Sequence, residues 1–293
     1  MTARHTVTAM SEPSADTDLT ERARATWEAV APGWEAARAR VFEAFRPVSE
    51  WLVERVAPQP GQTVLELAAG PGETGFLAAE RLGPSGTLLS TDISASMVEA
   101  ARRGAAARGL TQVECRVMDA QAIDLPDDGV DGVLSRLGFM LMPDPDRAVA
   151  EVRRVLRPGG RLAYAVIGTP PANQWMSLIA MSLMQRGHVL GGDPFGPGGP
   201  FSLADPERNR AMLTGAGFAE VEVTELTGTM AFDSVEDHFE LQSRVGGPVA
   251  TLIASLSASE AAAVRAALGE AMAPFAAGDG YALPWSLVAA SAR

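Results

Sequence analysis

The chain has 293 residues, 47% of them hydrophobic and 20% charged, with a formal net charge of −12 and one cysteine, Cys115. The acidic balance disfavours nucleic-acid and anionic-membrane partners, whose phosphates call for clustered cations, and a lone cysteine excludes an internal disulfide framework or a cysteine-rich metal site. All 24 basic residues are arginine, which removes mechanisms built on an obligate lysine: pyridoxal-phosphate Schiff bases, phosphate-loop NTPases and Tyr-x-x-x-Lys dehydrogenases.

Residues 1–18 are polar, lack the apolar core of a signal peptide and read as a disordered tail that carries His5. Residues 19–60 read as a helical arm. Helix is expected over 20–30, a break at Ala31-Pro32-Gly33 and a second helix over 41–56. Residues 61–168 then alternate. Strand patterns cover 63–68, 87–91, 112–117, 130–135 and 161–167, with helices between them that include 95–107 and 147–156. Arg157-Pro158-Gly159-Gly160 reads as the turn into the fifth strand. Such alternation implies a parallel sheet covered by helices on both faces.

The rhythm changes after Gly168. Residues 169–204 form a lid insert with an apolar helix over 174–185 and a glycine/proline loop over 191–201. Residues 205–225 continue the core with a helix over 205–215 and a strand over 219–224. Residues 226–282 form a helical substrate cap, with helices over 234–245 and 257–272, and 283–293 supply a closing strand. The total is a seven-stranded, mostly parallel α/β sheet. No apolar run reaches the ~18 residues of a membrane span, and the single cysteine points to a reducing, cytoplasmic home. Oligomeric state is not legible.

The first strand runs into VLELAAGPGETG, 64–75, whose Gly70, Gly72 and Gly75 satisfy the G-x-G-x-x-G spacing of a nucleotide turn. In open parallel sheets ligands bind beyond the carboxyl ends of the strands, where strand order reverses. A pyrophosphate would use N–H groups and the positive helix end there. Pro71 removes one such N–H, Glu73 would repel phosphate, and Glu66 adds negative potential. A ligand with cationic groups and no phosphate fits better, and S-adenosylmethionine carries an ammonium and a sulfonium. Asp92 ends the second strand, where an acid can hold ribose hydroxyls. Asp119 follows the third, where a carboxylate can take an adenine amino group; both positions also suit turn caps. An NAD-dependent oxidoreductase is the rival on glycine spacing, and a non-catalytic adenosylmethionine-binding protein is a third reading. The fourth strand ends in SRLG, not in the Pro-Pro-aromatic turn that holds a flipped base.

With these residues in place, the chain resembles the class I S-adenosylmethionine-dependent methyltransferases, in particular the branch around the ubiquinone/menaquinone-biosynthesis C-methyltransferases. VLELAAGPG, TDISASMVEAAR (91–102), MDAQAIDLPDDGVDGV (118–133) and EVRRVLRPGGRLAY (151–164) carry the resemblance. It implies a Rossmann-like fold with S-adenosylmethionine as cofactor and S-adenosylhomocysteine as product. Glu66, Ala68 and Gly70 would shape the methionine end, and Gly72 would admit close backbone approach. Asp92 would bind ribose, Ile93 and Met97 would flank adenine, and Asp119 and Ala120 would meet its edge. Ser135 and Leu137 would face the methyl group.

Bases are scarce. His188 ends the insert helix, His238 lies in SVEDHFELQ, and Arg136 is placed to orient a substrate or pair with an acid. Trp27, Trp34, Phe139, Met140, Trp175, Phe195 and Phe201 are the candidate substrate walls; for the tryptophans and the methionine-rich helix, ordinary packing is an equal explanation. An apolar, cyclic small-molecule acceptor is the resulting expectation, its acceptor atom (C, O or N) open, with no metal, nucleic acid or membrane involved.

Overall fold

The computed structural model describes residues 15–293; His5 and most of the expected tail lie outside that range. An eight-stranded sheet organises the chain, in the order β3-β2-β1-β4-β5-β8-β6, with the two-residue β7 (Ala276–Ala277) pairing β8 off this path. Strands β1 (Thr63–Leu67), β2 (Thr87–Asp92), β3 (Val113–Val117), β4 (Val130–Arg136) and β5 (Leu156–Ile167) are parallel to one another. β6 (Glu222–Phe232) and β8 (Gly280–Ala292) close the far edge, β8 running antiparallel to both its neighbours. The order reverses between β1 and β4, which opens a crevice above their carboxyl ends.

Apolar runs such as TVLEL and TLLSTD become strands buried on both faces because helices cover both sides. α2 (Arg46–Val56), α3 (Glu73–Leu82) and α4 (Ala95–Ala107) form one layer. α5 (Pro145–Val155) and α7 (Pro206–Gly215) pair in another, where Tyr164 of β5 donates to Asn209 of α7 at 2.9 Å. β3 is the exposed edge and carries Glu114 and Arg116, charges that deter edge-to-edge pairing.

Several boundaries differ from expectation. Arg157–Gly160 is not a turn outside the sheet. It belongs to β5, whose register with β4 shifts between Val130 and Gly132. The break expected at Ala31-Pro32-Gly33 is absent, since α1 runs from Ala15 to Ala44 with Pro32 inside it. Pro32 is exposed. Gly33 is where α1 crosses α8 (Val235–Val245): a Cβ there would sit 2.2 Å from the Arg244 carbonyl oxygen. The glycine thus serves close helix approach rather than termination. The helix instead ends at Ala44, and Phe45 separates α1 from α2.

β6 is longer than its expected 219–224. β5 ends at Ile167, level with Leu287 and Leu226. β6 and β8 continue together for six more pairs, from Thr227↔Ser286 to Phe232↔Tyr281. That ribbon stands roughly 20 Å past the end of β5. α6 (Gln174–Gln185), α8, α9 (Pro248–Ala254) and α10 (Ala258–Met272) gather around it as the cap, α9 being unforeseen. α10 begins at a capping box between Ser257 and Glu260. Among the described residues, no helix is long and apolar enough to cross a membrane.

Candidate active site

The crevice floor is the turn from β1 into α3. Gly70 has φ 54 and Gly72 φ 87. A Cβ on Gly70 would meet nothing within 4 Å, so this turn faces open space. Gly72 serves packing instead: a Cβ there would strike the Phe76 ring at 2.6 Å. Across the crevice, Ala68 at the end of β1 and Leu137 just past β4 both hold positive φ, 50 and 64, although neither is glycine. Such strain concentrates where a ligand site dictates the backbone.

The acids divide differently from their expected roles. Glu66 does not enter the crevice. It is 2% exposed, and its carboxyl accepts from the Gly75 amide at 2.8 Å and from the Ser90 hydroxyl at 3.2 Å. Burial, only partly offset by those donors and by the field of Arg136, pushes its pKa up to about 8. Glu66 therefore braces β1, β2 and the start of α3 as a largely neutral group. Glu73 turns sideways, paired with Arg108 and lying 3.6 Å from Arg38 of α1. Neither Glu66 nor Glu73 thus lines the open side of the glycine turn.

Asp92 does border the crevice. Its carboxylate accepts from the amides of Gly70 and Ser94, each at 2.9 Å, which locks the glycine turn to the end of β2. Burial raises its pKa to about 6. Asp119 accepts from the Gln121 amide at 2.9 Å and stays half-buried. Both acids make the turn-cap bonds the sequence also allowed, and both keep free lone pairs. Ile93 is half-buried, while Met97 and Ala120 are buried.

Ser135 and Arg136 end β4. The Ser135 hydroxyl is buried with no partner among the described residues. Arg136 donates through Nε to Thr74 Oγ1 at 2.9 Å, with its guanidinium 5.6 Å from the Phe45 ring.

α1 lies over the crevice. Gln121 donates to Thr20, the Ser94 hydroxyl donates to Glu28 at 2.6 Å, and the amide and hydroxyl of Ser96 also donate to Glu28. Further along, Glu35 pairs with Arg103 and Arg40 with Asp237 of α8. Glu28 and Gln121 were not foreseen. The signal was the repeat of Trp-Glu at 27–28 and 34–35, whose seven-residue spacing aligns only on an unbroken helix. The Trp27 and Trp34 rings do stack edge-on at 6.3 Å, and Trp34 Nε1 donates to the Val245 carbonyl at 3.1 Å. Trp34 therefore anchors the arm to the cap.

The two histidines are placed differently. His238 is fully buried, its Nε2 bonded to the Trp175 carbonyl at 2.7 Å, and burial lowers its pKa to about 4. His188 lies past the end of α6; its field adds a small part to the lowered pKa of Glu260 of α10, which the hydrogen bonds from Ser257 chiefly cause. Phe139 and Met140 are core, Phe139 packing on Tyr164 at 4.8 Å. Phe195 is 59% exposed and stacks on half-buried Phe201 at 5.7 Å. Trp175 is buried and meets Phe45 at 5.4 Å, while Trp285, also unforeseen, meets Phe45 at 5.2 Å.

Residues 58–185 match a family described as a methyltransferase domain. The nocamycin O-methyltransferase of Saccharothrix syringae is 35% identical over 61% of this chain and 67% of its own length. The demethylmenaquinone methyltransferase of Thermus thermophilus is 32% identical over 53% of this chain and 74% of its own length. This chain belongs to the class I S-adenosylmethionine-dependent methyltransferases. The YcgJ protein of Bacillus subtilis shares the fold, with a TM-score of 0.55 at 20% identity over 83% of this chain and 96% of that one. Other matched methyltransferases are spanned over only 40% and 56% of their own length.

The methyltransferase crevice fits its cofactor on its own terms. An open glycine turn, the Asp92 carboxylate beside it and two polar atoms at the end of β4 with no partner among the described residues, Ser135 Oγ and Arg136 Nη1, present polar groups to such a ligand.

Proposed function

We propose that this methyltransferase acts on an apolar, cyclic small molecule of the natural-product or quinone type. The carrying observation is the buried aromatic group of Phe45, Trp175 and Trp285, which stands past the carboxyl ends of the strands beneath the cap. Exposed Met181, Met184 and Phe195 extend this apolar character outward along the lid insert. The relatives named as a nocamycin O-methyltransferase and a demethylmenaquinone methyltransferase support a natural-product or quinone-type acceptor.

Bound S-adenosylmethionine supplies an electrophilic methyl on a sulfonium that departs neutral. The chain's own work is then alignment and water exclusion. Asp92 holds the ribose side, and Ile93, Met97, Asp119 and Ala120 form the adenine side. Ala68, Gly70, Ser135 and Leu137 surround the methionine end. α1, the insert 169–204 and the cap 226–282 close over the acceptor. The half-buried Cys115, its thiol pKa raised by burial, suits a reducing cytoplasm, and the net charge of −12 gives nucleic acid no foothold.

The test is methyl transfer from isotope-labelled S-adenosylmethionine to a panel of hydroxynaphthoquinones, aromatic polyketides and aliphatic amines, read by mass spectrometry. Labelled product from the ring compounds alone is expected. Transfer only to the aliphatic amines would remove the acceptor class.

A further inference from the structure

Arg136, at the mouth of the crevice, has no carboxylate counter-ion in salt-bridge reach among the described residues. It is the last residue of β4, and since Glu66 is level with Leu134, Arg136 is level with Ala68 at the start of the glycine turn. Its placement is firm. Nε donates to Thr74 Oγ1 at 2.9 Å, Thr74 shares a 3.0 Å hydrogen bond with Ser49, and the Phe45 ring flanks the guanidinium. Nη1 is shut off from water and has no partner among the described residues.

No carboxylate of the described residues lies within salt-bridge distance of Arg136. The two acids whose fields reach it are Glu66 and Glu73. Glu66 is committed to Gly75 and Ser90 and held toward its neutral form. Glu73 faces Arg38 and Arg108. Burial draws the guanidinium's pKa down to about 10, which still leaves it charged at neutral pH. Arg136 as a whole is half-buried, but a guanidinium nitrogen shut off from water and left unpartnered is costly unless a ligand completes it. The planar guanidinium fork matches a carboxylate.

We propose that Arg136 is a carboxylate anchor of the crevice, completed by a ligand carboxylate received on Nη1. The proposal rests on this crevice being the S-adenosylmethionine site. Two ligands can bring that group there: the cofactor's own amino-acid end, or an acceptor that carries an acid.

Calorimetry separates them. S-adenosylhomocysteine and its decarboxylated analogue, which keeps the amine, are titrated into the wild-type chain and into Arg136→Gln and Arg136→Lys. If the cofactor supplies the carboxylate, wild type prefers S-adenosylhomocysteine by roughly 10- to 100-fold, as a charged hydrogen bond warrants, and Arg136→Gln brings that ratio close to one. If the acceptor supplies it, the ratio is the same in both chains. Naphthoate then binds the wild-type S-adenosylhomocysteine complex at least about tenfold tighter than the Arg136→Gln complex, while naphthamide does not distinguish them.

An unchanged cofactor ratio together with no Arg136-dependent naphthoate binding overturns the anchor. Should Arg136→Gln fail to fold, the wild-type comparisons decide alone: no preference for S-adenosylhomocysteine over its analogue and none for naphthoate over naphthamide is the refuting pair. A wild-type chain that binds no S-adenosylhomocysteine at all would instead strike the cofactor site itself.

Discussion

Replacing Glu66 with Gln should stabilise the protein increasingly as pH rises. In the unfolded chain this carboxyl ionises near 4.5, whereas in the fold burial holds the proton on up to about 8. A raised carboxyl pKa means the folded state binds more protons, so its contribution worsens as pH climbs from about 4.5 to about 8 and then levels. At about 1.4 kcal/mol per decade, that interval sets a ceiling of roughly 5 kcal/mol. Relaxation and water entry around a buried charge reduce this to on the order of 2 kcal/mol. Gln keeps a carbonyl for the Gly75 amide and an amide for the Ser90 hydroxyl, so the fold loses about 1 kcal/mol or less where both carboxyl forms are neutral. Urea unfolding of both chains, in steps from acid to alkaline pH, reads the difference. The variant should gain on the wild type by on the order of 2 kcal/mol across the series. Parallel curves, or a gap that closes with rising pH, would refute the buried neutral carboxyl.

Three further outcomes follow from the same geometry. Gly75→Ala places a Cβ 2.1 Å from Glu66 Oε2 and should destabilise by roughly 2–4 kcal/mol in thermal unfolding; a near-neutral effect would mean the α3 start is looser than described. Glu28→Ala removes the bonds from Ser94 and Ser96 and should lower amide-exchange protection in the first half of α1 by about tenfold; unchanged exchange would show the arm is held elsewhere. His238, its pKa lowered from 6.5 to about 4, favours the fold fully above 6.5, and this is lost as pH falls from 6.5 to about 4. His238→Gln should flatten the acid limb of the unfolding curve and leave the pH profile of turnover unmoved. A turnover profile that loses an inflection near neutrality would restore His238 as a base.

The sheet was legible wherever burial is two-sided. Runs such as TVLEL and TLLSTD have no other stable place than an interior strand, and α4 and α10 begin close to where they were expected, behind caps that the structure places at Ser94 and Ser257. α1 was not legible, because Pro32 and Gly33 spell a break locally. Only the crossing with Arg244, 211 positions on, gives the glycine its purpose. The outer half of β6 was hidden for a related reason: TELTGTMAF is half-exposed and pairs only with a strand still to come. At the site, position was readable and direction was not. Glu66, Asp92, Asp119 and Arg136 fall at strand ends as expected. Whether a carboxylate enters the crevice or turns aside depended on Gly75, Ser90 and Arg108, which no local pattern couples to it.

β8 lies between β5 and β6, although it follows both in the chain. During synthesis β6 therefore emerges with no adjacent strand to receive it, and its backbone donors and acceptors stay unmatched until β8 leaves the ribosome. The cap inherits the same delay, since its helices pack on the ribbon those two strands make. The parallel strands β1 to β5 consequently have time to organise while the strand that completes β6 is still being translated.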